Sequence, residues 1–199
     1  MRWQAVIPVV LAVAALVLAA AAAAAVIKGT RGDDILNGTA NSDLIYGFAG
    51  NDTISGHGGT DIIFAGAGND QVTGADGFDD IRGGGGDDTV AAGDGPDLVW
   101  GGAGNDNLRG RHGADRISGG PGADTVYAGR GEDRVDGGPG ADTLWAVAKD
   151  GDTDFLDCGR GHDVAHIREG ERSVVTNCER VIVEPDAATA LEEPGDVSS

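Results

Sequence analysis

A chain of 199 residues with 33 acidic and 14 basic side chains has a formal net charge of −19 and a pI near 4.2. That balance argues against nucleic acid or an anionic membrane as a charge-held partner, and it favours cations. The apolar fraction of 40% overstates the core, because much of it is alanine near the N-terminus.

Residues 1–25 begin with a basic Arg2 and continue as an apolar run from Ala5 to Ala25, with only small residues over 19–25. This reads as a secretory signal peptide, cleaved between Ala21 and Ala25. A retained N-terminal anchor is the competing reading, since 5–27 is long enough to span a bilayer. Either way the remainder is expected outside the cytoplasm, secreted or extracellular, where calcium is available, and no other membrane insertion is expected.

From Gly29 to Trp145 one nine-residue phrase is written thirteen times, beginning at Gly29, Gly38, Gly47, Gly56, Ala65, Gly74, Gly83, Ala92, Gly101, Gly110, Gly119, Ala128 and Gly137. Position six is always Asp: Asp34, Asp43, Asp52, Asp61, Asp70, Asp79, Asp88, Asp97, Asp106, Asp115, Asp124, Asp133 and Asp142. Position eight is always a large aliphatic residue, from Leu36 and Ile45 through to Val135 and Leu144. Position four is Gly in every unit but the second, which has Asn41. A fixed period of this kind predicts a solenoid whose units bury one another.

Gly and Asn tolerate positive φ, so positions one to six suit a tight turn that gathers carbonyls. Positions seven to nine predict a three-residue strand with one inward aliphatic side chain. Two units make a coil of 18 residues, and coils stack about 4.8 Å apart. Position eight then forms two aliphatic columns, and position six two carboxylate columns along the turn edges. Unit charges ~5 Å apart at an effective dielectric near 20 repel by roughly 3 kcal/mol, too much for so thin a core. A hard cation taking six to eight oxygens, carboxylate and carbonyl together, removes the conflict. A flexible acidic linker has the same composition, but it needs no fixed aliphatic at every ninth position.

The phrase G-G-x-G-x-D-x-U-x resembles the haemolysin-type (repeats-in-toxin) calcium-binding family. The resemblance covers 117 of 199 residues in unbroken register. It implies an all-β parallel β-roll that binds several calcium ions, each shared between position-six Asp and turn carbonyls of adjacent coils. By that likeness every Asp named above is an expected calcium ligand. Enzymes of the family keep catalysis in a separate segment, for which this chain leaves no room, so a non-catalytic module is expected.

Departures from the phrase are concentrated early. Thr30, Thr39, Phe48, His57, Ala75 and Arg111 replace the second Gly, which predicts weaker calcium binding or a cap in the first coils. Position nine carries Tyr46, Phe64 and Trp100 on one face and Tyr127 and Trp145 on the other. These are outward, β-favouring residues, or a stripe that binds glycan or a protein partner, as in a cell-surface adhesin or matrix protein.

After Trp145 three extra residues, Ala146 to Ala148, precede a looser unit with Asp154 and Leu156, then a better one with Asp163. Asp154 and Asp163 complete the expected ligand set, and the roll is taken to run over 29–166, in about seven to eight coils. Asp150, Asp152 and Asp154 imitate an EF-hand start, but Phe155 and Gly161 stand where its Gly and Glu belong, so the EF-hand is rejected. Cys158 and Cys178, an even pair in an exported chain, are expected to form a disulfide. Strands at 173–176 and 180–183 are expected to cover the open end, within a cap over 167–183. The stretch 184–199 reads as a disordered acidic tail.

His57, His112, His162 and His166 are scattered over turns and form no zinc pattern. No Ser/His/Asp arrangement is present, and the G-x-G-x-x-G matches come from the repeat without a strand-to-helix unit to hold a nucleotide.

Overall fold

The structure, a computed structural model, describes residues 24–185. The expected signal peptide and acidic tail lie outside the described residues, apart from Ala24, Ala25, Glu184 and Pro185. All regular structure among the described residues is β, and no helix is long and apolar enough to cross a membrane.

Strands alternate between two nine-stranded parallel sheets, apart from the two-residue strands Pro139–Gly140 and Arg160–Gly161, which pair with each other. The first runs Val26–Lys28, Leu44–Ala49, Ile62–Ala67, Asp80–Gly85, Leu98–Ala103, Arg116–Ser118, Arg134–Asp136, Thr153–Asp157 and Arg172–Thr176. The second begins at Ile35–Asn37 and Thr53–Gly59 and ends at Val164–Arg168 and Arg180–Glu184. Within the repeats every rung sits 18 residues above the last, as in Ile45↔Ile63, Ile63↔Ile81 and Ile81↔Val99. This is the parallel β-roll that the resemblance implies, with the stacked solenoid that the nine-residue period predicts.

Two details differ from expectation. The roll has nine rungs per sheet, because Val26–Lys28 pairs ahead of the first unit and the last two strands add a rung at the other end. Those last strands extend the sheets by parallel pairing, with Val175 and Cys178 packed against the end of the core, while Val174, Val181 and Val183 stay exposed. Strand pairing also passes position nine into the next turn, giving six- and seven-residue strands such as Leu44–Ala49 and Thr53–Gly59.

Alternation along each strand sends positions six, eight and one inward and positions seven and nine outward. The core is the aliphatic column Leu36 to Leu156, with Ala65, Ala92 and Ala128 filling position one. Position one must be small because the carboxylate of the same unit occupies the adjoining space. None of the three alanines has positive φ, so each is accommodated without backbone strain.

Near the C-terminus, Ala146 of the three-residue insertion stays in the core, Val147 and Ala148 are half-buried, and Asp154 and Leu156 keep the inward positions. Arg168, 4% exposed, donates from Nε to the Val147 carbonyl at 2.6 Å and ties this segment down. Cys158 stands at position one, fully buried, and is bonded to Cys178 across a Cα–Cα distance of 5.1 Å.

Candidate metal centre

The carboxylates lie inside the turns rather than along their edges. From Asp43 to Asp142 every position-six Asp is 4% exposed or less. From Asp52 onward each accepts, on Oδ1, the backbone N–H of the Asp one coil earlier, and Asp43 accepts that of Ala25. Asp70 N–H donates to Asp88 at 2.8 Å, Asp88 N–H to Asp106 at 2.8 Å, and Asp97 N–H to Asp115 at 2.8 Å. The ladder survives the insertion, with Asp133 N–H reaching Asp154 at 3.0 Å and Asp142 N–H reaching Asp163 at 2.8 Å. One column ends on Glu179, whose Oε2 accepts Asp163 N–H at 2.6 Å.

The second oxygen has no such role. Oδ2 of Asp52, Asp61, Asp70, Asp79, Asp88, Asp97, Asp106, Asp124, Asp133, Asp142 and Asp163 is buried without a hydrogen-bond partner. A lone polar atom in an interior is costly, and one occurrence would be unusual; a column of them calls for a common occupant. The surroundings say which kind. A β-carbon placed on Gly83 would collide with both Asp88 Oδ2 and the Gly101 carbonyl oxygen. The same holds at Gly101 for Asp106 Oδ2 and the Gly119 carbonyl, and at Gly119 for Asp124 Oδ2 and the Gly137 carbonyl. Carboxylate and carbonyl oxygens thus share one small space in which no donor meets Oδ2, and the Gly119 and Gly137 carbonyls accept one N–H each, from Gly102 and Gly120. That set fits a hard cation with oxygen ligands. Among the described residues no three His, Cys, Asp or Glu side chains converge as a metal cluster, so main-chain carbonyls have to complete the coordination.

Protonation follows the same logic. Burial pushes Asp61, Asp70, Asp79, Asp106 and Asp142 up, the single backbone N–H only partly offsets it, and neighbouring Asp residues add to it. By the same causes Asp88, Asp97 and Asp124 are raised from 3.8 to about 7. Asp133 reaches about 9, with Asp115, Asp154 and Asp150 as its charged neighbours. Asp154 is raised to about 7 by burial and by Asp150, Asp152 and Glu171 beside it.

Asp34 and Asp43, at the start of the two columns, are different. Asp34 Oδ2 accepts Thr30 N–H at 2.6 Å and the Thr30 hydroxyl at 3.0 Å, and Asp43 Oδ2 accepts Thr39 N–H at 2.6 Å. Burial alone would raise Asp43, but N–H groups of Ala25 and Thr39 and the Thr39 hydroxyl hold it below its ordinary value.

Sequence reasoning missed a second ladder. Position five of alternate units carries Asp33, Asn51, Asn69, Asp87 and Asn105, each accepting the N–H of the residue one coil later at 2.7–2.9 Å. The 18-residue recurrence of Asp or Asn was the available signal; the other edge has Ser42, Thr60, Phe78 and Pro96 instead.

The aromatics occupy the faces expected of them, but their rings turn toward one another. Tyr46 and Phe64 stack at 5.2 Å and 7°, and Arg82 lies between Phe64 and Trp100, 5.0 and 5.1 Å from the rings. On the other face Tyr127 stacks on Trp145, and Trp145 on His166. Ring faces used in this way are not offered to a sugar, and the glycan reading finds no support in the geometry.

The RTX calcium-binding nonapeptide repeat family matches the chain four times, over residues 28–63, 46–81, 82–111 and 110–144. Together these matches span 28–144, more than half of the 199 residues. No curated protein matches the chain.

Proposed function

The chain belongs to the RTX calcium-binding nonapeptide repeat family, whose arrays bind several calcium ions, and from that premise we propose a secreted, non-catalytic module that calcium orders. The observation that carries this reading is the column of buried Oδ2 atoms without partners. In it, position-six Asp from Asp52 to Asp142, with Asp154 and Asp163, supply the charged ligands, and position-one carbonyls supply neutral ones. Bound calcium supplies positive charge and a flexible, many-oxygen coordination shell to groups that otherwise repel. Asp is suited because its short stem holds Oδ1 on the neighbouring backbone while Oδ2 stays in the turn. The thin aliphatic column then has only to hold the two sheets together.

Export is supported by the N-terminal apolar run and by the Cys158–Cys178 disulfide, which suits an oxidising compartment. Titration calorimetry of chelator-stripped protein, with calcium and separately with magnesium, tests the reading. Several calcium ions should bind, with magnesium much weaker because it demands near-ideal octahedral geometry. Equal binding of the two ions, or no calcium uptake, would overturn it.

A further inference from the structure

We propose that Thr30 and Thr39 terminate the two carboxylate columns, so that Asp34 and Asp43 are hydrogen-bonded end pieces and the calcium-binding columns begin at Asp52 and Asp61. This rests on the reading that the interior carboxylates hold calcium, and it removes two aspartates from the set that the repeat pattern alone would assign.

Three observations agree. The first is the fate of Oδ2, which is taken by Thr30 and Thr39 in the first two units but has no partner in Asp52, Asp61 and Asp70. The second is the backbone. Position two is left-handed in the interior even where a side chain makes that unfavourable, with φ of 78° at Phe48, 75° at His57, 83° at Ala75 and 76° at Arg111. Thr30 and Thr39 are absent from that conformation. Their N–H groups therefore turn to the carboxylate of their own unit, whereas Gly102 and Gly120 N–H go to the carbonyls of Gly119 and Gly137 in the next coil.

The third is the hydroxyl. Thr30 Oγ1 accepts Gly32 N–H at 3.2 Å, and Thr39 Oγ1 accepts Asn41 N–H at 3.2 Å. In the interior the position-four N–H goes instead to a carbonyl one coil on, as from Gly50 to Ala67 and Gly68 to Gly85. A threonine turn is thus closed on itself through three local bonds, and this also explains why Asn41 is accepted at position four. The location is physically apt. These are the first turns of the roll: the next-coil carbonyls of Gly47 and Gly56 adjoin them as in the interior, but the threonine donors already occupy the carboxylate oxygens that a cation would need.

Native mass spectrometry at saturating calcium counts the ions. The double variant Asp34→Asn/Asp43→Asn should keep the parent number, while Asp88→Asn should lose at least one. Loss from the double variant equal to that from Asp88→Asn overturns the proposal. Retention of every ion by Asp88→Asn overturns instead the calcium reading of the interior columns. A second measurement uses melting in calcium. Thr39→Gly should lower Tm by about 2–4 °C, whereas Phe48→Gly and His57→Gly, at the same repeat position, should raise it. A rise in Tm for Thr39→Gly would show that its turn is an ordinary interior one.

Discussion

Asp106 holds Asp88 and is itself left unsatisfied: its Oδ1 accepts Asp88 N–H at 2.8 Å, while its Oδ2 lies buried with no partner. One carboxylate therefore does two jobs, backbone pairing between coils and, on our reading, cation binding within the turn. Separating the two jobs yields the first prediction. Asp106→Asn keeps an oxygen for Asp88 N–H but removes the charge. Without calcium it should stabilise the roll, by up to about 3 kcal/mol of relieved repulsion. With calcium it should weaken binding more than tenfold. Denaturant melts of the variant in chelator and in calcium should therefore move in opposite directions.

Acidity should act in opposite senses in the two states. Folded carboxyls at about 7 for Asp88, Asp97 and Asp124 lie above their ordinary 3.8, so the metal-free roll binds protons more tightly than the unfolded chain. That stability is fully present below about pH 4 and is lost as pH rises through about 7. In chelator, β-structure should thus be greater at pH 5 than at pH 8. In calcium the order should reverse, because protons compete for the same oxygens. Circular dichroism across this range, with and without calcium, checks the crossing.

How much of this was legible in the sequence can be argued from single positions. Ile63 and Asp61 recur at fixed offsets, so the solenoid, its 18-residue coil and its carboxylate columns followed from the spacing, and the parallel β-roll from the resemblance to the repeat family. The inward turn of Asp61 did not, because a charged residue in a Gly-rich turn is ordinarily expected at the surface. Phe48 and His57 were recognisable as departures, and their positive φ bears out the suspicion of a left-handed position. Thr30 looked like one more such departure; only the backbone reveals that it avoids the strain and bonds Asp34 instead. Arg168 and Glu179 lie outside the periodic region, where no repeated column marks a residue as inward or as a ladder terminus.

The strained position-two residues give the third prediction. A side chain held at φ near 80° costs of order 1 kcal/mol. Ala75→Gly and Arg111→Gly should each stabilise the calcium-loaded roll by about that amount, read as a shift in denaturant midpoint with unchanged slope. A midpoint that stays in place at both positions would mean the strain is relieved elsewhere.

The interior sites should also differ along the roll. Units from Gly83 to Trp145 have Gly at position two in all but one case, Arg111, and adjoin the disulfide-linked end. Asp124→Ala should therefore reduce calcium-induced folding more than Asp61→Ala, whose unit has His57 at position two. Equal effects in calorimetric titration would indicate a single cooperative unit indifferent to position.

Reduction of Cys158–Cys178 opens a loop of 20 residues and should destabilise the C-terminal rungs by roughly 3 kcal/mol in the chain-entropy model. Hydrogen exchange in calcium, with and without reductant, should show lost protection at 158–184 first. Uniform loss along the whole roll would contradict a local role for the bond.

The central claim is that calcium, through the orphaned Oδ2 column, orders this chain. Far-UV circular dichroism of the same sample in excess chelator and then in millimolar calcium tests it most directly. The account predicts a largely unfolded spectrum that converts to β-structure on adding calcium and reverts on chelation. A β spectrum of equal strength in chelator at pH 8 would contradict it.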